Sequence, residues 1–180
     1  MSILNVTKPM IKIIKAETNH AALIAEIGEK TFWESHGISA SKADINAFVS
    51  KTYTKEVLVK ELENKNNTYH LIYYNSKLAG FSKIVVNTPN NNIKHKNVTK
   101  LDRFYLLKAF YGQKLGLKLF DFNVAFSKNN QQIGIWLAVW VENQRAINFY
   151  KKAGFKIVDE YDFQITPTHS NPNHIMYLKY

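Results

Sequence analysis

The sequence predicts an α/β protein in which helices pack on a central mixed β-sheet. The second half of the chain alternates strand and helix signals in the order β-α-β-α-β-β, from Leu101 to Tyr180. The strand at Ile133–Val139 is apolar on both of its alternating faces, so we expect it at the centre of the sheet, covered on both sides. With 180 residues, 46% of them hydrophobic, the chain is long enough for a single domain, residues 1–180, with its own core.

The first half of the chain predicts three strands and three helices. β-rich alternation marks the strands, and two of them form a hairpin around the turn Asn75-Ser76. These strands are Ile11–Lys15, Thr68–Tyr74 and Lys77–Val86. Apolar residues at helical spacing and capping signals predict helices that begin at about Thr18, Ser41 and Thr54. The segment from Asn87 to Lys100 is rich in Asn and Lys and is expected to be a loop.

The second half predicts four strands and two helices. The strands are Leu101–Leu107, Ile133–Val139, a segment near Phe155–Gln164 and His174–Tyr180. The helices run from Gln113 to about Asn129 and from Gln144 to Ala153. His169 and His174 flank a loop that contains proline and could in principle bind a metal ion. Because no carboxylate cluster accompanies them, a solvated loop is the favoured interpretation, and we expect no metal.

Composition restricts the functional classes. There are 24 Lys and Arg against 14 Asp and Glu, a formal charge of +10 that favours an anionic ligand such as nucleic acid or a phosphorylated cofactor. The basic residues are dispersed, so nucleic-acid recognition is the less favoured of these two. No cysteine occurs, which excludes disulfides and thiolate chemistry. No segment has the apolar length of a signal peptide or a membrane span, so we expect a soluble, cytoplasmic protein.

The first candidate site is the junction from Lys108 to Leu117, which lies between a predicted strand and a predicted helix. Successive backbone N–H groups at the start of a helix would suit a pyrophosphate. A tight turn that needs the conformational freedom of Gly112 is an equally good explanation. The junction alone therefore leaves both interpretations open.

The second candidate is the segment from Trp140 to Phe155, directly after the central strand. Asn143 is suited to cap the helix, and Gly154 is suited to end it in the left-handed conformation. Packing explains the apolar residues on one face of this helix. It does not require the polar Tyr150 on that face, which makes Tyr150 a candidate functional residue.

The string Asn143-x-x-Ala-Ile-x-Phe-Tyr150-x-Lys152-x-Gly-Phe resembles the signature helix of the GCN5-related N-acetyltransferase (GNAT) superfamily. The junction occupies the place of that family's acyl-coenzyme A loop, but Tyr111 replaces Gln or Arg, and Lys114 replaces a glycine. Three further segments are most similar to a bacterial spermine/spermidine acetyltransferase branch. They are Glu29–Phe32, Leu101–Tyr105 and Ile135–Trp140.

The resemblance implies a mostly antiparallel sheet of six or seven strands that splays between strands four and five, with helices on both faces. Acetyl-coenzyme A would be the co-substrate, and its pantetheine arm would lie in the splay. Carried onto this chain, the cofactor-binding residues are Tyr105, Leu106, Leu107, Gly112, Gln113, Lys114, Leu115, Gly116, Leu117, Asn143, Tyr150 and Lys152. The acceptor would be a small-molecule amine, and the protein could form a homodimer.

The resemblance also implies roles in catalysis. Tyr150 would donate a proton to the departing thiolate, since phenol and thiol pKa values are close enough for transfer. Asp102 would accept the proton of the amine, or Glu29 or Glu34 would do so through water; an ion-paired carboxylate is the alternative interpretation of Asp102. Glu29, Trp33 and Glu34 are the predicted acceptor-binding residues. His36 either lines the same pocket or lies at an exposed helix end.

Three functions remain open at this point. A polyamine is the favoured acceptor, and a protein or peptide N-terminus is the second. A non-catalytic, acyl-coenzyme A-responsive regulator that binds nucleic acid is the third, motivated by Tyr111, Lys114 and the charge of +10. The same charge should repel a polycation unless acidic residues gather at the pocket. The candidates for such a cluster are Glu29, Glu34, Asp102 and Glu142.

Overall fold

The computed structural model describes residues 9–180, so the first eight residues of the predicted domain lie outside it. The strands are β1 (Ile11–Lys15), β2 (Asn67–Tyr74), β3 (Lys77–Val85), β4 (Thr99–Leu106), β5 (Gly134–Trp140), β6 (Lys156–Thr166) and β7 (His169–Lys179). The helices are α1 (Ala21–His36), α2 (Lys42–Thr52), α3 (Lys55–Glu63), α4 (Leu115–Asn129) and α5 (Gln144–Lys152). Among the described residues, no helix is long and apolar enough to cross a membrane.

The seven strands form one sheet in the order β1-β2-β3-β4-β5-β7-β6. Helices cover both faces of the sheet. Neighbouring residues of a strand point to opposite sides, so a single strand contacts both helix layers. On β2, Leu71 packs into the core beneath α1, α2 and α3, whereas the next residue, Ile72, packs with Leu115 and Leu119 of α4. The predicted α/β class, with a mixed sheet between helices, is confirmed.

The predicted splay between strands four and five is also confirmed. All neighbouring strands are antiparallel except β4 and β5, which are parallel. These two strands pair only at their beginnings, through Thr99 with Ile135 and Lys100 with Trp136. Both strands then continue for several residues without pairing with each other, so their facing edges leave a gap in the middle of the sheet.

The hairpin of β6 and β7 corrects one sequence expectation. The segment around Pro172, predicted to be a solvated loop, belongs to β7 and pairs with β6, with Asp162 opposite Pro172. Proline is tolerated because its missing N–H would face the side on which β5 has ended. The carbonyl of Pro172 accepts a hydrogen bond from the N–H of Val141 on that side, at 3.1 Å. The two histidines are accordingly part of the sheet.

One wall of the gap is held by a close approach between β3 and β4. Gly80 lies opposite Leu106, and a side chain at this position would place its Cβ 2.3 Å from the carbonyl oxygen of Tyr105. The pairing continues beyond β4, since the N–H of Leu107 donates to the carbonyl of Ala79 at 2.9 Å. Strand β4 therefore stays with β3, and the opening lies entirely on its β5 side.

We expect Gly80→Ala to lower the free energy of unfolding by about 1–3 kcal/mol, because the added methyl group must displace the β4 backbone. Gly116→Ala is the matched control, since its Cβ would lie 3.4 Å from Leu106 in ordinary contact and alanine favours the helix. Denaturant unfolding of both variants measures the difference. Equal stability of the two would show that β4 does not depend on this close approach.

Candidate active site

The gap between β4 and β5 opens into a cavity of about 400 Å³. Strand β4 lines it from Lys100 to Leu106, and strand β5 lines it from Leu137 to Trp140. A second cavity of about 510 Å³ lies beside it, between the β4–α4 junction and α5. The two cavities share five lining residues, so they adjoin as one trough. The shared residues are Leu106, Tyr111, Gly116, Arg145 and Phe149.

The second cavity is built for an anion. The N-terminus of the 15-residue helix α4 lies at it, where backbone N–H groups and the helix dipole favour negative charge. Its charged lining residues are all cations: Lys114, Arg145 and Lys152. Most of the predicted cofactor-binding residues line this cavity or the first one. Leu107 and Gln113 line neither, and Gln113 instead accepts a hydrogen bond from Tyr74 at 3.1 Å.

The junction keeps a glycine-like backbone where a lysine stands. Gly112 has φ +81°, and Lys114 has φ 57° and ψ 16°, which is the left-handed conformation. Lys114 is the N-cap of α4, so this turn aims the first N–H groups of the helix. The replacement of glycine by lysine therefore leaves the turn intact, at a steric cost of about 1–2 kcal/mol.

Sequence reasoning missed a contact that crosses the trough. Tyr111 follows β4, Arg145 follows β5, and the guanidinium carbon of Arg145 lies 3.7 Å from the centre of the Tyr111 ring. Arg145 also donates a hydrogen bond to the Tyr111 hydroxyl, at 2.8 Å. The signal was present in the sequence, because Tyr111 stands where the family has Gln or Arg. The arginine is supplied by the opposite side of the trough.

Tyr150 and Asn143 both line the first cavity. The Asn143 side chain caps α5 by accepting a hydrogen bond from the N–H of Ala146 at 3.2 Å. Tyr150 is buried among aromatic rings, and burial raises the pKa of its hydroxyl, which nearby Arg145 lowers in part. The hydroxyl therefore stays protonated at physiological pH. It has no hydrogen-bond partner among residues 9–180 and is free to donate one to a bound group.

Asp102 lines the first cavity but belongs to an ionic cluster. Its carboxylate lies 2.6 Å from the ammonium of Lys100 and 3.1 Å from that of Lys83. Lys83 also contacts Glu61 at 3.0 Å, and Arg103 binds both oxygens of Glu61. Burial raises the pKa of Asp102, but Lys100 and Lys83 outweigh it and lower the pKa to about 2. The cluster of three cations and two carboxylates thus leaves Asp102 a weak proton acceptor.

The three predicted acceptor-binding residues of α1 lie outside the cavity lining. Glu29 is exposed, Trp33 packs in the core beneath α1, and the Glu34 carboxylate accepts a hydrogen bond from the N–H of Lys108 at 2.8 Å. A helix turns by about 100° per residue, so residues next to Glu34 in the sequence point in a different direction and can face the cavity. The α1 residues that line the cavity are Thr31, Phe32, Ser35 and His36. The predicted residues therefore lie beside the lining face of α1, and that face includes His36, for which a place in the pocket was one of the two interpretations of the sequence.

The two histidines of β7 are engaged in hydrogen bonds or an ion pair. His169 contacts the carbonyl of Ser39 at 3.0 Å, and His174 lies 3.0 Å from the carboxylate of Glu160. Within the described part of the chain, no group of three His, Asp or Glu side chains could hold a metal ion.

A sheet that splits beside an anion-favouring helix N-terminus defines an acyltransferase fold of the acyl-coenzyme A-dependent class. The chain belongs to the acetyltransferase (GNAT) family, whose model matches residues 32–155. It is therefore an acetyltransferase, and the predicted superfamily is confirmed.

Relatives and solved structures agree with this family. An uncharacterized N-acetyltransferase in the pepI 3′ region of Lactobacillus delbrueckii subsp. lactis is 27% identical over 153 residues, 85% of this chain and 88% of that protein. The crystal structure of PaiA N-acetyltransferase from Thermoplasma acidophilum in complex with coenzyme A has a TM-score of 0.76 at 23% identity, over 95% of this chain and 99% of that one. The ribosomal-protein-S18-alanine N-acetyltransferase from Escherichia coli has a TM-score of 0.65 at 19% identity, over 94% of each chain.

The left-handed residue at the junction yields a stability prediction. We expect Lys114→Gly to unfold with a free energy about 1 kcal/mol higher than Lys114→Ala, because glycine adopts this conformation without steric strain. Both variants remove the same charge, so the comparison isolates the backbone. Denaturant unfolding measures it, and equal stability would mean that the turn relaxes without strain.

The ionic cluster yields a pH prediction. The folded-state pKa of Asp102, about 2, is below its ordinary value, so its ionised form stabilises the fold above pH ~4. This stabilisation is lost as the pH falls from about 4 to about 2. We expect Asp102→Asn to lower the free energy of unfolding by about 2 kcal/mol at neutral pH, and by much less near pH 2. Asp121→Asn, at an exposed site on α4, is the control; a pH-independent deficit in Asp102→Asn would contradict this account.

Proposed function

We propose that the protein binds acetyl-coenzyme A along the trough and transfers the acetyl group to a primary amine. The observation that carries this proposal is the pairing of β4 with β5 at only two positions. It leaves strand edges free beside a cavity whose charged lining residues are all cations. When bound, acetyl-coenzyme A supplies an acetyl thioester as the acyl donor. The residues present fit a nucleotide thioester, since the trough offers strand edges at one end and an anion site at the other.

The anion site fits the diphosphate of the coenzyme. Gly112 to Leu117 would supply backbone N–H groups, and Lys114 and Lys152 would supply positive charge. Tyr105 and Leu106 present the β4 edge toward the gap, where the pantetheine amides would find partners. The crystallised coenzyme A complex of the similar PaiA N-acetyltransferase supports this assignment.

Tyr150 is the proposed proton donor to the leaving sulfur. It lines the cavity at the gap, its hydroxyl has no partner among the described residues, and burial keeps it protonated. A thiolate that develops beside it would accept its hydrogen bond, and then its proton. Asn143, on the same side of the gap, would orient the cofactor arm.

The charges that line the first cavity bear on the identity of the acceptor amine. Of the four acidic residues that could attract a polycation, only Asp102 lines the first cavity, and two lysines neutralise it. The other charged lining residues are Lys100, Arg103 and Arg145. This inventory supports an amine with a single positive charge, such as a peptide N-terminus, over a polyamine. The narrower sequence resemblance to spermine/spermidine acetyltransferases supports the polyamine.

A remaining feature of the first cavity also supports an amine with an apolar neighbour. Away from the gap, five aromatic rings line its wall beside uncharged polar side chains, and no carboxylate among the described residues there would pair with a second ammonium group. These rings are Phe32, Phe48, Tyr53, Tyr161 and Phe163. An uncharged, apolar group next to the reacting amine would displace water from this wall.

The test of the proposed function measures coenzyme A release with acetyl-coenzyme A and a set of amines that includes spermidine, a peptide with a free N-terminus and an arylalkylamine. We expect a higher kcat/KM for the monocationic acceptors than for spermidine. A preference for spermidine of tenfold or more would reverse the assignment of acceptor. No turnover with any amine would reject the proposed function.

We expect Tyr150→Phe to lower kcat by about 10²–10⁴, the range for loss of a positioned proton donor, while acetyl-coenzyme A still binds. Tyr177→Phe is the matched control, because this tyrosine lines neither cavity and its hydroxyl has no hydrogen-bond partner among the described residues. Steady-state kinetics and calorimetry separate turnover from binding. Full turnover in Tyr150→Phe would remove Tyr150 from the reaction.

A further inference from the structure

The imidazole of His36 lies over the opening between the two separated strands. His36 is the last residue of α1. The centre of its ring is 6.2 Å from the ring centre of Tyr105 on β4 and 6.0 Å from the ring centre of Trp140 on β5. It stacks on Phe32 at 4.7 Å, which fixes the plane of the ring. His36 therefore faces the place where an acyl group held in the gap would meet the acceptor.

A chain of hydrogen bonds bears on which nitrogen of His36 carries the proton. The hydroxyl of Ser35 can donate to the carbonyl of Thr31, at 2.7 Å. The same oxygen lies 2.7 Å from Nδ1 of His36, and it accepts there when its own proton is donated to Thr31. We infer the tautomer in which Ser35 donates to Thr31, so that Nδ1 carries the hydrogen and Nε2 carries a free lone pair; the same distances would also fit Ser35 donating to Nδ1, with the hydrogen on Nε2.

The lone pair of Nε2 is available to a ligand. Nε2 has no hydrogen-bond partner among residues 9–180. It is also not one of the fully enclosed polar atoms, so a ligand can reach it. Because His36 is otherwise surrounded by aromatic rings and lines the cavity, its accessible nitrogen faces the cavity. The imidazole thus presents a neutral proton acceptor to the site where the amine would react.

The electrostatic setting keeps this acceptor neutral. Burial lowers the pKa of His36 to about 4. The charged groups that line the cavity around it are Lys100, Asp102 and Arg103 on β4 and Arg145 on α5. Asp102 is the only carboxylate among them, and both of its oxygens are engaged by lysines. His36 is thus the stronger and less encumbered of the two proton acceptors in the cavity wall.

We propose that His36 is the catalytic proton acceptor of the acetyl transfer, with Ser35 as the residue that positions it. This inference rests on the proposed function. In the step, the neutral amine attacks the acetyl carbonyl, the N–C bond forms and the C–S bond breaks. The extra proton on nitrogen passes to Nε2 of His36, and the thiolate takes the proton of the Tyr150 hydroxyl. The products are the acetamide and free coenzyme A, and the imidazolium of His36 then returns its proton through water to the phenolate of Tyr150, which regenerates both groups.

The transfer is feasible although His36 is a weak base, because nitrogen bonded to an acyl carbon is far more acidic than a free alkylammonium. The proton therefore needs an acceptor only once the N–C bond has begun to form. A neutral imidazole with one nitrogen already hydrogen-bonded to Ser35 meets that need without a change of tautomer.

The experiment compares His36→Ala with His95→Ala, a control histidine in the loop between β3 and β4. We expect kcat of His36→Ala to fall by about 10²–10⁴, the range for a general base, with unchanged affinity for acetyl-coenzyme A by calorimetry. Added imidazole should restore part of the activity, since the substitution leaves space beside the gap. We expect Ser35→Ala to lower kcat less and to leave acetyl-coenzyme A affinity unchanged.

The outcomes separate this inference from the proposed function. If the unmodified protein turns over no amine, both fail together. If it is active, a kcat for His36→Ala within twofold of the unmodified protein overturns the role of His36 and leaves the function standing. Loss of acetyl-coenzyme A binding, or loss of activity that imidazole does not rescue, indicates a structural role for His36 and also overturns the inference.

Discussion

The structure depends on how briefly β4 and β5 remain paired. Two residues on each strand form a parallel ladder, after which β4 follows β3 and β5 follows β7. A sheet interior normally satisfies its own backbone groups, and leaving them unpaired is unfavourable unless another partner supplies the hydrogen bonds. In this protein the unpaired edges face a cavity. A ligand with amide groups in an extended arrangement would supply the missing hydrogen bonds.

The ionic cluster beneath the cavity shapes the site as much as the gap does. Glu61 of α3 binds Arg103 of β4 and Lys83 of β3, so it joins the helices of one face to the strand that forms the wall. The same network places the only acidic group of the cavity wall between two lysines. Rigidity of β4 and the weak basicity of Asp102 therefore have one cause. Proton acceptance is left to a neighbouring helix.

Much of the fold followed from sequence patterns, because each pattern reports a local preference. The apolar strand ending at Val139, the capping asparagine at Asn143 and the aromatic face of α5 all correctly predicted their elements. Both strands of the last hairpin were predicted, but the extension of β7 back through Pro172 to His169 was missed, since the cost of a proline depends on which neighbouring strand has already ended. That information is tertiary and has no local signature.

The site was predicted less completely for the same reason. The residues from Gly112 to Leu117, predicted from the motif to bind the cofactor through the backbone, line the trough with the exception of Gln113. Residues that act through side chains depend on helix rotation and on distant partners. Thus Glu34 was named as an acceptor-binding residue whereas the adjacent Ser35 was not, and His36 was left between two interpretations. The stacking of Arg145 on Tyr111 joins residues 34 positions apart. Such contacts depend on three-dimensional packing.

The hydrogen bond from the N–H of Lys108 to Glu34 has a further consequence for how the two substrates communicate. One end of α1 carries both this carboxylate, which holds the start of the phosphate-binding turn, and the face that meets the acceptor. The backbone of α1 satisfies its own hydrogen bonds, so this end of the helix is expected to move as one unit. A ligand that shifted this end of α1 would therefore also shift the carboxylate that accepts the hydrogen bond from Lys108, at the start of the β4–α4 junction.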